Sequence, residues 1–350
     1  MIPIPEKILI IRNDKLGDFC LSLPTFALLK HCLPSVELHA LVPGYTQPIA
    51  EACPHIDKVI IDPGSQADKH AMSELKSTLQ AENYPVALTL FSTTRIGLLL
   101  SRAKIPTRIA PATKIAQIFY NHRIRQRRSQ SLKPEYEYNL DLAKALLRLV
   151  QINCDFSPLS PYLIYPELEI AQLRDAFVEQ YNITDKRLIF IHPGSGGSAN
   201  NLDLNQFSDL ALALSNNDQY YIVISAGPGE YDIAHEVAAK LNRAKLNQAQ
   251  VQHCVYESRD GLTQFAKHIA FADLFVSGST GPLHIAGALN RPTVGFYPNR
   301  QSATPLRWQT LSQDDHRLAF SPPGNANKED MSSVNLENAI TEIKKLLTRL

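Results

Sequence analysis

The sequence predicts an α/β protein made of two doubly wound, Rossmann-like domains facing a central cleft. Three observations carry this. Short apolar runs alternate with stretches of helical length and period along most of the chain, the rhythm of parallel strands wrapped by helices. A stretch with Pro158, Pro161 and Pro166 breaks that rhythm midway, because proline resists helix interior and central strand alike. The length of 350 residues exceeds what one core usually serves, since single cores rarely grow much beyond ~250 residues.

In chain order, the first strand is expected at 7–12, an apolar run closed by Arg12. A helix follows at 19–31, then a strand at 37–42 and another at 58–61. A helix at 72–82, a strand at 86–90 and a helix at 138–149 complete the first domain, assigned to 1–165. The connection at 156–167 leads into a second alternation, assigned to 166–330. Its strands are expected at 188–191, 220–225, 274–277 and 293–297, and its helices at 205–215, 230–241, 262–271 and 281–289. Val334, Leu336, Ile340, Ile343, Leu346 and Leu347 have the spacing of an amphipathic helix that ends the chain, within 331–350.

Composition bounds the function. A hydrophobic content of 44% against 20% charged residues fits a globular protein with a sizeable core. A net charge of +1 argues against wholesale nucleic-acid binding. Five scattered cysteines without a C-x-x-C pair point to a reducing compartment and away from a zinc site or disulfide framework. No leader peptide is visible and no apolar stretch approaches ~20 residues, so a cytoplasmic protein is expected. Charge is nonetheless uneven. Residues 84–133 hold no acid and ten bases: Arg95, Arg102, Lys104, Arg108, Lys114, Arg123, Arg125, Arg127, Arg128 and Lys133. Such a patch is either a solvated face or a seat for an anionic partner, and a membrane-proximal anion fits better than RNA because aromatic residues are sparse there.

Two turns look built for phosphate. Ser277-Gly278-Ser279-Thr280-Gly281-Pro282-Leu283-His284 joins an apolar strand to an apolar helix, with Pro282 in the first helical turn. His192-Pro193-Gly194-Ser195-Gly196-Gly197-Ser198 follows the strand at 188–191. The second turn lacks the lysine of a Walker loop and is no G-x-G-x-x-G fingerprint, which disfavours nucleotide hydrolysis and dehydrogenation. Its alternative reading is a flexible connection. Ser279 between small residues loosely matches a nucleophile elbow, but His284 is too near to be the usual partner and His316 has no evident acid. His284 lies on the helical face of the turn, placed for a phosphate or for ordinary packing. Glu230, after Gly227-Pro228-Gly229, suits ribose hydroxyls or a helix dipole. Asp18, after the first strand, reads as a helix cap or as a general base.

Together these motifs resemble glycosyltransferase family 9, the heptosyltransferases of the bacterial lipopolysaccharide inner core. The carriers are Lys15-Leu16-Gly17-Asp18 with Leu23-Pro24, then His192-Pro193-Gly194-Ser195-Gly196, then Ser279-Thr280-Gly281-Pro282-Leu283-His284-Ile285-Ala286. The resemblance implies a GT-B fold, with the acceptor on the first domain, the nucleotide-sugar on the second, and the last helix packing back on the first. It implies inverting, metal-independent transfer from ADP-heptose to an acidic lipid, with no cofactor and no nucleic acid, at the cytoplasmic face of the inner membrane. By the same resemblance Asp18 is the base. Ser195, Gly196, Asn200, Glu230, Ser279, Thr280, Gly281 and His284 would line the donor. For the acceptor we expect Lys15, Arg123, Arg125, Arg127 and Arg128. Backbone N–H groups of Gly196 and Gly281 would steady the leaving diphosphate. Two positions depart from the family pattern: Asn200 stands where members often carry a lysine, and Ser279 where they carry an acid. These departures keep open another nucleotide-sugar, used by a transferase or epimerase of the same fold. A glycolipid-binding pseudoenzyme is the non-catalytic alternative.

Overall fold

The structure, a computed structural model, describes residues 2–113, 115–197, 200–246, 251–324 and 326–350, with only the backbone of 244–246. Lys114 and Ser198 lie outside the described residues. The chain divides into two compact units, one comprising residues up to Arg128 and Leu132–Leu163, the other Ser129–Ser131 and Ile164–Leu350.

The first unit runs β1 (Lys7–Ile11), α1 (Leu16–Cys20), α2 (Leu23–Cys32), β2 (Glu37–Pro43), α3 (Gln47–Glu51), β3 (Lys58–Asp62), α4 (Lys69–Glu82), β4 (Val86–Thr89), α5 (Thr94–Arg102), β5 (Thr107–Pro111), β6 (His122–Ile124) and α6 (Glu135–Leu149). Its strands form one parallel sheet in the order β3-β2-β1-β4-β5-β6. The central position of β1 explains its unbroken apolar run: Ile8, Leu9, Ile10 and Ile11 are fully buried, as a strand covered on both faces requires. The helix expected at 19–31 is two helices. Pro24 cannot donate to the carbonyl one turn back, so α1 stops at Cys20 and α2 starts afresh with Pro24 in its first turn.

The second unit runs α7 (Glu167–Gln180), β7 (Arg187–His192), α8 (Leu204–Ser215), β8 (Tyr220–Ala226), α9 (Tyr231–Leu246), β9 (His253–Glu257), α10 (Gly261–Ala270), β10 (Leu274–Gly278), α11 (Gly281–Ala288), β11 (Thr293–Phe296), β12 (Arg317–Phe320) and α12 (Leu336–Arg349). Its parallel sheet has the order β12-β11-β10-β7-β8-β9. Counted from its own first strand, β7, this repeats the order of the first sheet. In both sheets the chain reverses direction across the sheet beside the first strand, between β1 and β4 and between β7 and β10. In such sheets that crevice at the carboxyl edge is where ligands bind.

Two expectations are corrected. The apolar face of α12 belongs to the second unit: Ala339, Ile343, Leu346 and Leu347 are buried with Ile189, Phe207, Leu210 and Leu214, and Arg187 Nη1 donates to the Leu347 carbonyl at 2.6 Å. The last helix was expected to serve the first unit, whereas its apolar face is part of the core of the second. Cys32 and Cys154 are bonded to each other, contrary to the reading that no disulfide forms. A separation of 122 residues hides the pair in the sequence, and it ties the end of α2 to the segment after α6. Cys20, Cys53 and Cys254 are free and buried, and burial pushes their thiols well above the usual value.

Candidate functional site

At the carboxyl edge of the first sheet, the β1–α1 turn carries Asn13, Asp14, Lys15 and Asp18. Asp18 is not a helix cap. Lys15 occupies the cap position of α1, and Asp18, in the first turn, directs its carboxylate at Arg12 instead. The Arg12 side chain, 2% exposed, donates from Nε to Asp14 Oδ1 at 2.7 Å, from Nη2 to Asp18 Oδ1, and from Nη1 to Glu135 Oε1 at 3.2 Å and Asn139 Oδ1 at 3.1 Å. Asp18 Oδ2 has no partner among the described residues. Burial raises the Asp18 carboxyl to about 6, against the pull of Arg12, and the charges of Asp14 and Glu135 add to the rise.

Beside this cluster, Asp62 at the end of β3 accepts from both Nη atoms of Arg95 and from Asn13 Nδ2. Burial pushes Asp62 up, but these bonds outweigh it and hold the carboxyl below its usual range. Arg95 is thus paired, and so are other members of the basic run. Arg128 donates to Glu135 Oε1 at 2.7 Å, Lys133 to Asp141 at 2.6 Å, and Arg108 to the Phe119 and Ile105 carbonyls. The run is therefore not ten unopposed cations, and Arg128, expected at the acceptor, is part-buried and paired with Glu135. Arg123, Arg125 and Arg127 remain exposed, without an ion-pair partner among the described residues. They alternate along and just beyond the edge strand β6, as residues on one face do. Lys15 is exposed as well.

In the second unit the two glycine turns meet at the switch point. Ser277 on β10 is the Cα partner of His192 on β7, so the turns that follow these strands are neighbours. Asn201 joins them: its Nδ2 donates to the Pro193 carbonyl at 3.0 Å, and its Oδ1 lies 2.4 Å from where a Cβ on Gly278 would be. Gly196 and Gly197 have φ of +52° and +70°, a conformation that favours glycine. Ser277 and Thr280 exchange a hydroxyl hydrogen bond at 3.1 Å. Thr280 precedes α11 and makes no side-chain cap, leaving the first N–H groups of that helix unsatisfied by it.

Glu230 clips this edge together. Oε1 accepts from Gly196 N at 2.7 Å, Oε2 from Gly227 N at 3.1 Å, and His192 Nε2 lies 3.3 Å from Oε2. Burial raises Glu230, but His192 and the two backbone donors more than offset it and hold the carboxyl below its usual range. The Gly196 N–H reserved for a phosphate is therefore donated to Glu230. His284 is buried, its Nδ1 has no hydrogen-bond partner among the described residues, and burial pushes its pKa down to about 4. It is accordingly neutral near pH 7, a hydrogen-bonding group and not a cation. Asn200 is exposed and Ser279 and Ser195 are partly exposed on the two turns.

The sequence reading singled out Asp18 and both turns. It missed Arg12, Glu135, Asn139, Asp62 and Asn201, which hold them. A charged residue closing an otherwise apolar strand was the available signal for Arg12. Among the described residues no group of three or more His, Cys, Asp or Glu is arranged to hold a metal ion, and no helix is long and apolar enough to cross a membrane.

Comparison with known proteins places this architecture. The family model of glycosyltransferase family 9 (heptosyltransferase) matches residues 72–335. A Haemophilus influenzae protein assigned to the glycosyltransferases is 43% identical over 340 residues, 97% of this chain and 96% of that one. Lipopolysaccharide heptosyltransferase 2 of Escherichia coli is 24% identical over 306 residues, 85% of each chain. Among solved structures, Escherichia coli ADP-heptose lipopolysaccharide heptosyltransferase II aligns with a TM-score of 0.76 at 21% identity, covering 98% of this chain and 99% of that one. The fold is that of the GT-B heptosyltransferases.

Proposed function

The chain belongs to glycosyltransferase family 9, and within that family we propose that it moves heptose from ADP-heptose onto a lipopolysaccharide inner-core acceptor. The transfer would invert the anomeric centre and use no metal. The observation that carries this reading is Asp18: one carboxylate oxygen is locked on Arg12, the other has no partner among the described residues, and the pKa is raised toward working pH. A carboxylate so placed can take the proton of an acceptor hydroxyl as its oxygen attacks the anomeric carbon.

The donor reading rests on the second unit. The first turn of α11 offers oriented N–H groups at Gly281, and the helix dipole adds positive potential. His284, neutral and with Nδ1 unpartnered among the described residues, can add a hydrogen bond. These groups would steady the departing diphosphate. Glu230 uses three of about four carboxylate acceptor positions, leaving one for a ribose hydroxyl. Heptose and lipopolysaccharide are supported by the names of the Escherichia coli relatives. Asn200 and Ser279 favour the second reading, another sugar on the nucleotide.

On the first unit, Arg123, Arg125 and Arg127 suit an anionic acceptor, with Lys15 on the turn that carries the base. Ile115 and Ile118, 73% and 67% exposed just before this row, suit contact with the inner membrane surface at its cytoplasmic face. A melting panel with ADP-, UDP-, GDP- and CDP-linked sugars tests the donor. ADP-heptose should raise the midpoint most, since a ligand that binds only the folded state stabilises it in proportion to the logarithm of its saturation. A larger rise with a UDP- or GDP-sugar would overturn the assignment.

A further inference from the structure

A charge at the end of a buried strand must be neutralised where it sits. Arg12 meets this demand with two carboxylates from its own turn, Asp14 and Asp18, and one from a distant helix, Glu135, the first residue of α6. Glu135 and Asn139 are shared with a second guanidinium, since Arg128 donates from Nη1 to Glu135 Oε1 at 2.7 Å and from Nη2 to Asn139 Oδ1 at 3.3 Å. Asn139 also donates from Nδ2 to the carbonyl of Leu21, the residue that closes α1, at 3.0 Å. α1 has only five residues and no side-chain cap, so it has little stability of its own. Arg12 holds it at Asp18, and Asn139 holds it at Leu21.

The geometry points to Arg12 as the positioning residue for Asp18, with the Arg128–Glu135 pair setting how much of the Arg12 charge reaches it. This rests on Asp18 being the base. The rigid fork of a guanidinium fixes one Asp18 oxygen and leaves the other for the acceptor hydroxyl. Counting Arg12, Arg128, Asp14, Asp18 and Glu135, two cations face three carboxylates. The proton that Asp18 removes therefore brings the cluster to neutrality. Burial gives this weight, because an uncompensated charge is costly there. Other titratable groups face the cluster, among them Tyr138, whose ring centroid lies 5.7 Å from the Arg128 guanidinium carbon. Tyr45 donates its hydroxyl to the Asp14 carbonyl at 2.8 Å, and Cys20 is buried behind Asp18. Burial pushes both further up, so neither changes charge near neutral pH.

The test is a carbon-13 titration of the whole chain labelled at aspartate carboxyls, with the Asp18 signal identified by its loss in Asp18→Asn. Glu135→Gln keeps the shape and removes the competing anion, so the Asp18 midpoint should fall by about one pH unit. Arg128→Gln strengthens the hold of Glu135 on Arg12, so the midpoint should rise by about as much. Arg128→Lys keeps the charge and should leave it in place. Arg12→Lys keeps the charge but not the fork, and should lower kcat at least about tenfold with donor KM unchanged. Midpoints that stay put, or that move the same way in Glu135→Gln and Arg128→Gln, overturn the inference. Should Arg128→Gln not fold, an unmoved midpoint in Glu135→Gln overturns it alone. Turnover of ADP-heptose with lipopolysaccharide acceptor separates the two ideas. An active Asp18→Asn refutes the base, whereas an inactive Asp18→Asn beside unmoved midpoints refutes only the positioning network.

Discussion

Asp18→Asn is expected to lower turnover by roughly a hundred- to ten-thousand-fold and to leave the fold at least as stable as before. The activity term follows from chemistry, since an amide cannot accept the proton of the acceptor hydroxyl. The stability term follows from linkage. The folded chain holds the Asp18 carboxyl at about 6, above the ordinary carboxylate value, so it binds that proton more tightly than the unfolded chain does. The stability this provides is complete below about pH 4 and is lost as pH rises through 6. At pH 8 the ionised group therefore weighs against folding, and asparagine removes that burden. Melting of the two proteins at pH 8 and at pH 5 checks this: the variant should gain at pH 8, and the gain should shrink toward pH 5. Near wild-type turnover in the variant would move the base elsewhere, with Asp14 the nearest carboxylate.

Gly194→Ala is expected to destabilise the second unit by about 2–3 kcal/mol and to weaken nucleotide binding at least about tenfold. An added Cβ would lie 2.2 Å from Glu230 Cδ and 2.4 Å from each Glu230 oxygen. Glu230 is a flexible side chain and can move aside, so the loss comes from what it lets go. Leaving its place breaks its bonds to Gly196 N and Gly227 N and its contact with His192, which together shape both sides of the donor turn. A double-mutant cycle isolates the mechanism. In a Glu230→Ala background that obstruction is gone, and Gly194→Ala should then cost far less. Equal losses in the two backgrounds, read by urea unfolding, would show that the contact with Glu230 is not the cause.

How much of this was legible in the sequence depended on where each residue's partners lie. β1 and β7 declare themselves because a central parallel strand is apolar on both faces, as Ile8–Ile11 and Leu188–Ile191 are. β6 and β12 escaped notice because they are short edge strands with Arg123 and Arg317 in them. β5 was obscured by Arg108, and β9, at the other edge, by having only Cys254 and Tyr256 buried between the polar ends His253 and Glu257. α5 fell in the stretch read as a basic run, and α7 begins where the stretch read as linker ends. The site behaved likewise. Asp18, Gly194 and Thr280 sit in local motifs and could be read. The Arg12–Glu135 pairing spans 123 positions and the Arg187–Leu347 bond 160, so only the fold brings them together. The cap reading of Asp18 failed for the same reason: a buried guanidinium outcompetes a backbone N–H for its carboxylate.

Heptosyl transfer itself is the most direct measurement. Incubating the protein with ADP-heptose and a heptose-deficient lipopolysaccharide acceptor should add one heptosyl group to the acceptor for each ADP released, both read by mass spectrometry. An acceptor left unchanged with ADP-heptose, but glycosylated when another nucleotide-sugar is supplied, would contradict the proposed donor.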